Sequence, residues 1–276
     1  MSAIADTQMP KLLRDVIDAE IKAFGESRRI TLQNTIPETS GIPSDDPLKW
    51  LRIPDVTCVF VDMKGSTELS ASTHDKSTAG AYQLFTGTAV RMLHEIEAPY
   101  IDVRGDGVFA LFNRDQTYRA LVAAVSFKTF AELEFLPQMT KQLGEEKGAR
   151  MGTHIGIDRK TVLVRRIGLR RYKNRNDRNN DVWAGKPVNM AAKLAARSAA
   201  GTLLVSDRFY QKITNELARK SCGCPDGESV ELWTPVDLSS DRKFDFDTAY
   251  CLKSRWCKHH GRQFYEDILA LDSKKK

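Results

Sequence analysis

The chain has 276 residues, 41% hydrophobic and 28% charged, with a formal net charge of +6. It reads as soluble and globular, sized for one large domain or two small ones. No apolar run reaches the roughly 18 residues of a membrane span, and the opening MSAIADTQMPKLLRD lacks the basic-then-apolar order of a secretory signal. Five cysteines, an odd and sparse count, suit a reducing cytoplasm. The basic excess in 159–178 and in the terminal SKKK suits an anionic partner, or else a solvated face with a solubilising tail.

In chain order, residues 10–25 carry apolar positions at helical spacing and end on a glycine. Residues 34–49, rich in Pro, Ser, Asp and Gly, read as a linker. A strand over 55–62 and a helix over 75–98 follow. YIDVRGDGVFALF (100–112) reads as two short strands around a Gly-Asp-Gly turn. A helix is predicted over 116–136, a hairpin over 150–168 turning near Asp158, Arg159 and Lys160, and a helix over 186–200. A strand over 202–206 leads into a helix over 207–220, and strand-like runs mixed with loops complete the chain. The order β-α-β-β-α-β predicts an α+β, ferredoxin-like core with extra N- and C-terminal elements.

Within this frame VFVDMKGST (59–67) brings Asp62 to a strand end and follows it with a turn leading into a helix. Asp106 sits in the hairpin between the next two strands. On neighbouring strands the two carboxylates converge. Hard oxygen ligands with open positions suit Mg²⁺ or Mn²⁺ carrying nucleotide phosphates. The N–H groups of Met63 to Thr67, with Gly65 and Ser66 among them, are placed to cradle phosphate oxygens. The other reading makes Asp62 a helix N-cap and Asp106 a turn residue. Their joint placement favours the metal.

Three segments resemble the class III nucleotidyl cyclases: FVDMKGST and IDVRGDGVFALF resemble the two metal segments, and DVWAGKPVNMAAKLA (181–195) resembles the helix-opening signature. The resemblance covers about residues 55–210. It implies a catalytic domain over 51–220, preceded by an N-terminal helix and linker (1–50) and completed by C-terminal strands and a helix (221–276). It implies two Mn²⁺ or Mg²⁺ ions per site on Asp62 and Asp106, with the Met63 carbonyl serving the second. Asn189 takes the place of the asparagine that orients the ribose. Lys193 stands where the family has a phosphate-stabilising arginine, keeping the charge but losing the bidentate fork; Arg197, one turn on, is placed to share the role. The reaction implied is attack of the ribose 3′-hydroxyl on the α-phosphate of a nucleoside triphosphate with loss of pyrophosphate. The resemblance also implies a homodimer with sites at the subunit interface.

Four residues before Asp106, where adenylyl cyclases carry lysine and guanylyl cyclases glutamate, this chain has Asp102. A carboxylate only accepts hydrogen bonds, and Arg104 lies on the same side of the strand, able to donate to a pyrimidine carbonyl. The other reading pairs Asp102 with Arg104. Chain length, the lone catalytic domain and VWAGKPVNMAAKLA (182–195) together most resemble the bacterial pyrimidine cyclases of Pycsar antiphage defence. That implies UTP as substrate, with cytidylate, adenylate or guanylate cyclases as alternatives, and a product read by a separate effector, with no membrane or stable nucleic-acid partner. A non-enzymatic alternative is a basic nucleotide- or RNA-binding module.

Cys222, Cys224, Cys251, Cys257, His259 and His260 offer zinc ligands. Cys-x-Cys spacing and the lack of a second regular pair favour scattered thiols in a strand and loops. His154 reads as a core or dimer-face histidine and Trp183 as aromatic packing rather than base stacking. Tyr172 and its neighbouring arginines read as a basic loop over the triphosphate or as a plain solvated loop.

Overall fold

The computed structural model describes residues 9–72, 74–169, 178–225 and 227–273. In chain order the helices are α1 (Lys11–Gly25), α2 (Ser66–Ser72), α3 (Asp75–Glu95), α4 (Thr117–Phe130), α5 (Leu136–Leu143), α6 (Glu145–Gly148), α7 (Lys186–Arg197), α8 (Asp207–Tyr210) and α9 (Gly261–Ser273). The strands are β1 (Arg29–Leu32), β2 (Lys49–Lys64), β3 (Tyr100–Arg104), β4 (Gly107–Phe112), β5 (Gly152–Gly168), β6 (Asn179–Gly185), β7 (Leu203–Ser206), β8 (Trp233–Asp237) and β9 (Thr248–Leu252).

One sheet holds all of these strands, in the order β3-β4-β2-β5-β7-β9-β8, with β1 on β2 and β6 on β5. The ferredoxin-like core is β2-α3-β3-β4-α4-β5. Central β2 pairs antiparallel with both β4 and β5. Covered on both faces, it reads as an unbroken apolar run from Cys58 to Val61 rather than as an alternation. Pro54 is tolerated inside β2 because the register shifts between Ile53 and Val56, a bulge where Asp55 takes a φ of 53°.

Helices α3 and α4 cover one face. Phe85 meets Phe127 edge-on, with centroids 5.1 Å apart, and Phe135 at 5.2 Å. Helix α7 covers the other face, over Val56, Cys58, Phe109 and Trp183. A side chain at Gly156 would place its Cβ 2.0 Å from the Ala191 carbonyl oxygen, so only glycine lets β5 and α7 pack this closely.

Two predicted elements are corrected. The segment 150–168 is no hairpin: β5 runs through Asp158–Arg159–Lys160 without turning, and its hairpin partner is β6. Asp158 and Arg159 look like turn residues but are buried with partners. Arg208 grips both Asp158 carboxylate oxygens, at 2.7 and 2.5 Å, and Arg159 donates to Thr117 Oγ1 and to the Arg114 carbonyl. The helix expected over 207–220 stops after one turn, at Tyr210. The Tyr118 hydroxyl accepts from the N–H groups of Thr214 and Asn215, and the Asn215 side chain caps a 3₁₀ turn at Glu216–Ala218. The residues of the expected linker are anchored too: Ile36 and Ile42 are buried against β2, and the Ile36 N–H donates to Asn113 Oδ1.

Asp158 is fully buried, so its bidentate partner is needed to compensate the charge. Arg208→Ala is expected to destabilise the fold by about 3 kcal/mol or more, read as a lowered urea midpoint with an unchanged slope. An unchanged midpoint would show that the buried pair contributes nothing.

Candidate functional site

Strand pairing assembles the acidic end of the sheet. Asp62 stands opposite His154 on β5, and Val61 opposite Val108 on β4, which brings the Gly105–Asp106 turn alongside Asp62. The aspartates meet where β2 ends and β3 turns into β4. Directly paired residues share a face, so Asp62, His154, Asp102 and its partner Phe109 all lie on the α7 side.

Burial raises the Asp62 carboxyl to about 6, the Asp106 charge adds to the rise, and a hydrogen bond from the Met63 N–H opposes it. Gly107 keeps the space open, because a Cβ there would lie 3.0 Å from Asp62 Oδ1. A half-buried carboxyl pushed up by a second carboxyl, beside a backbone with no side chain, fits a divalent cation with hard oxygen ligands.

Beyond Asp62 the chain turns at Gly65, whose φ is +84° and whose Cβ position is crowded by the Arg150 carbonyl at 3.0 Å. Ser66 then opens α2, with Thr67 in its first turn. Met63 is buried in the core against α3 and α4. Arg104 Nη2 lies 2.6 Å from Asp102 Oδ2, so the two form an ion pair in the free chain. His154 donates from Nδ1 to the Ser198 carbonyl at 2.9 Å, taking that nitrogen as protonated, which ties β5 to the end of α7. Trp183 is buried, its ring 4.7 Å from that of Tyr100: it is packing. Tyr172 lies outside the described residues.

Asn189, Lys193 and Arg197 recur every four residues along α7, on one face. Asn189 and Arg197 are exposed, while Lys193 donates to the Lys243 carbonyl at 2.8 Å. Helix α7 starts at the level of Val162, crosses Gly156 at Ala191–Ala195 and ends at His154. Asn189 therefore sits on the order of 15 Å along the sheet from Asp62 of its own chain.

The structure brings together one grouping that the sequence missed and one that it offered as zinc ligands but set aside in favour of scattered thiols. Asp245 accepts from Arg208, Lys186 and Lys160. Burial opposes the effect, but these bonds hold its carboxyl well below the ordinary carboxylate range. Cys222, Cys224, Cys257 and His260, read as scattered, converge, their candidate ligand atoms all within 4.8 Å of one another. The missed signal is Cys257-x-x-His260, the second arm. Among the described residues no helix is long and apolar enough to cross a membrane.

Residues 48–229 match the family described as adenylate and guanylate cyclase catalytic domain. A uridylate cyclase of Propioniciclava tarda is 38% identical over 239 residues, 85% of this chain and 75% of that protein. A uridylate cyclase of Micromonospora echinofusca is 30% identical over 224 residues, 80% of this chain and 71% of that protein. The fold is shared with the adenylyl cyclase CyaB from P. aeruginosa: TM-score 0.51 and 20% identity, over 74% of this chain and 96% of that one.

A carboxyl raised in the fold costs stability as pH climbs from its ordinary value near 3.8 to about 6, and the cost is in full force above that. Asp62→Asn is therefore expected to raise the Tm of metal-free protein at pH 8 by about 2–4 °C, about 1 kcal/mol after solvent screening of this half-exposed group. At pH 4 the gain should vanish. An equal gain at both pH values would remove the charge explanation.

Proposed function

The chain belongs to the adenylate and guanylate cyclase catalytic-domain family and is a nucleotidyl cyclase; from that premise we propose that it converts UTP to 3′,5′-cyclic UMP and pyrophosphate. Family membership sets aside the binding-module reading. The observation that supports the site assignment is the strand register that sets the Asp106 turn alongside the half-buried Asp62. The base assignment draws on the relatives named uridylate cyclase and on Asp102 with Arg104.

Asp62 and Asp106 would hold two Mn²⁺ or Mg²⁺ ions, with the Met63 carbonyl on the second. When bound, the ions lower the pKa of the 3′-hydroxyl and offset charge on the departing pyrophosphate. The N–H groups of Gly65, Ser66 and Thr67 donate to phosphate oxygens. Asp102 accepts from uracil N3–H while Arg104 donates to a ring carbonyl, exchanging their mutual ion pair for the base. That exchange is cheap because the pair is partly exposed. Asn189 orients the ribose, and Lys193 or Arg197 meets the charge on the transferring phosphoryl group. Lys193 must first leave the Lys243 carbonyl; Arg197 is already exposed. The 3′-oxygen bonds to the α-phosphorus, the bond from that phosphorus to the pyrophosphate oxygen breaks, and the hydroxyl proton passes to solvent.

The separation of Asn189 from Asp62 within one chain supports a homodimer in which each site draws its aspartates from one subunit and its asparagine from the other. The cyclic product would act as an antiphage second messenger for a separate effector, as the resemblance to the pyrimidine cyclases implies.

Purified protein with Mn²⁺ and each of the four nucleoside triphosphates is expected to form mainly cyclic UMP; a dominant cyclic CMP, AMP or GMP would overturn the base assignment. Asp62→Ala and Asp106→Ala are expected to lower kcat at least about 10²-fold, and near-normal turnover would overturn the site. Inactive Asp62→Ala and Asn189→Ala chains, mixed in equal amounts and allowed to exchange, should recover about a quarter of wild-type activity, since half the dimers then hold one intact site. No recovery after demonstrated exchange would place the complete site within one chain.

A further inference from the structure

A cluster of candidate metal ligands lies outside the proposed cyclase site. Zinc binds thiolate sulfur at about 2.3 Å, so two sulfurs on a tetrahedral ion stand about 3.8 Å apart. The candidate ligand atoms of Cys222, Cys224, Cys257 and His260 all lie within 4.8 Å of one another, close enough to close on a single ion. Cys224 Sγ is 3.3 Å from His260 Nδ1, which designates Nδ1 as the ligating nitrogen.

Both arms are shaped for this. The first is a turn at Gly223, where φ is +81° and a Cβ would come 2.8 Å from the Gly227 carbonyl, so that the two flanking thiols turn to one side. The second is the turn opening α9, fixed by the Gly261 N–H donating to the Cys257 carbonyl at 2.7 Å. The backbone N–H groups of His260 and His259 face the Cys257 sulfur and favour its thiolate. All four side chains are at least partly exposed, giving an ion a path in, and all three cysteines are free. Cys251 lies in β9 and takes no part.

We propose that Cys222, Cys224, Cys257 and His260 form a structural zinc site that staples the 221–231 loop to the start of α9. Four protein ligands leave no open position, which separates this site from a catalytic zinc. The staple has a purpose in the fold. The last turn of α9 carries Asp272, whose carboxylate accepts from the N–H groups of Tyr118 and Arg119 in the first turn of α4, at 3.0 and 2.7 Å. Fixing the start of α9 by zinc and its end by Asp272 clamps it along α4. The three cysteines also border a cavity of about 530 Å³ walled by Trp233, Trp256 and Phe264, an apolar space that the staple holds open in one shape.

The test uses the full chain, carrying no polyhistidine tag and purified without chelator from cells grown with zinc. About one zinc per chain is expected by elemental analysis, unchanged in Cys251→Ser and absent from the Cys222→Ser/Cys224→Ser double variant. Returning zinc alone to metal-stripped wild type should raise its Tm by several degrees. Zinc at background levels together with no Tm rise would overturn the proposal, as would a double variant that keeps its zinc. Should the double variant fail to fold, Co²⁺ added to stripped wild type decides: thiolate-to-cobalt charge-transfer absorption supports the site, and its absence overturns it. None of these readouts involves nucleotide turnover, so the outcome is independent of the uridylate cyclase reading.

Discussion

Two carboxyl groups that repel one another are held at the same end of the sheet by backbone pairing that neither can alter. The antiparallel register of β4 on β2, and of β2 on β5, places Asp62 and the Asp106 turn together whatever their charges prefer. The raised Asp62 carboxyl records that repulsion added to burial. A fold accepts such a site when the surrounding packing over-determines it. Here it does: Val59, Val61 and Met63 are locked against α3 and α4 on one face, while Phe60 and Cys58 are locked under α7 on the other. The strand cannot slip by one residue without exchanging its two packed faces and moving Asp62 from the α7 side to the apolar side under α3 and α4.

The acidic end of the sheet was legible in the sequence because it is local. VFVDMKGST and the Gly-Asp-Gly turn each announce a strand end, and the βαββαβ order makes their strands neighbours. What failed was long-range. Asp158–Arg159–Lys160 carries every mark of a turn until Arg208, some fifty residues on, arrives to pair with Asp158. Residues 207–220 have helical composition, yet the Tyr118 hydroxyl, reaching in from α4, takes two of the N–H groups the helix would use. The thiol cluster, named among the candidate zinc ligands, was set aside for the same reason: its arms are separated by β8 and β9, and only the packed chain sets Cys-x-Cys beside Cys-x-x-His.

Position along the sheet divides the labour. The end of β2 carries the acidic pair, and α7 carries the amide and the cations, laid across β5 at a crossing that Gly156 alone permits. That crossing fixes how far Asn189 stands from Asp62, so the separation belongs to the scaffold rather than to flexible side chains. The Asp245 cluster adds a brace at the start of α7, where Lys186 shares the carboxylate with Lys160 of β5 and Arg208 of α8.

The unbroken run of β5 has a consequence for how such a chain behaves in a cell. Seventeen residues make a bar with a contour of roughly 55 Å, and a bar of that kind does not fold back to bring its own extremities together. Under the proposed pairing, output per molecule would climb with abundance across the concentrations at which two copies associate.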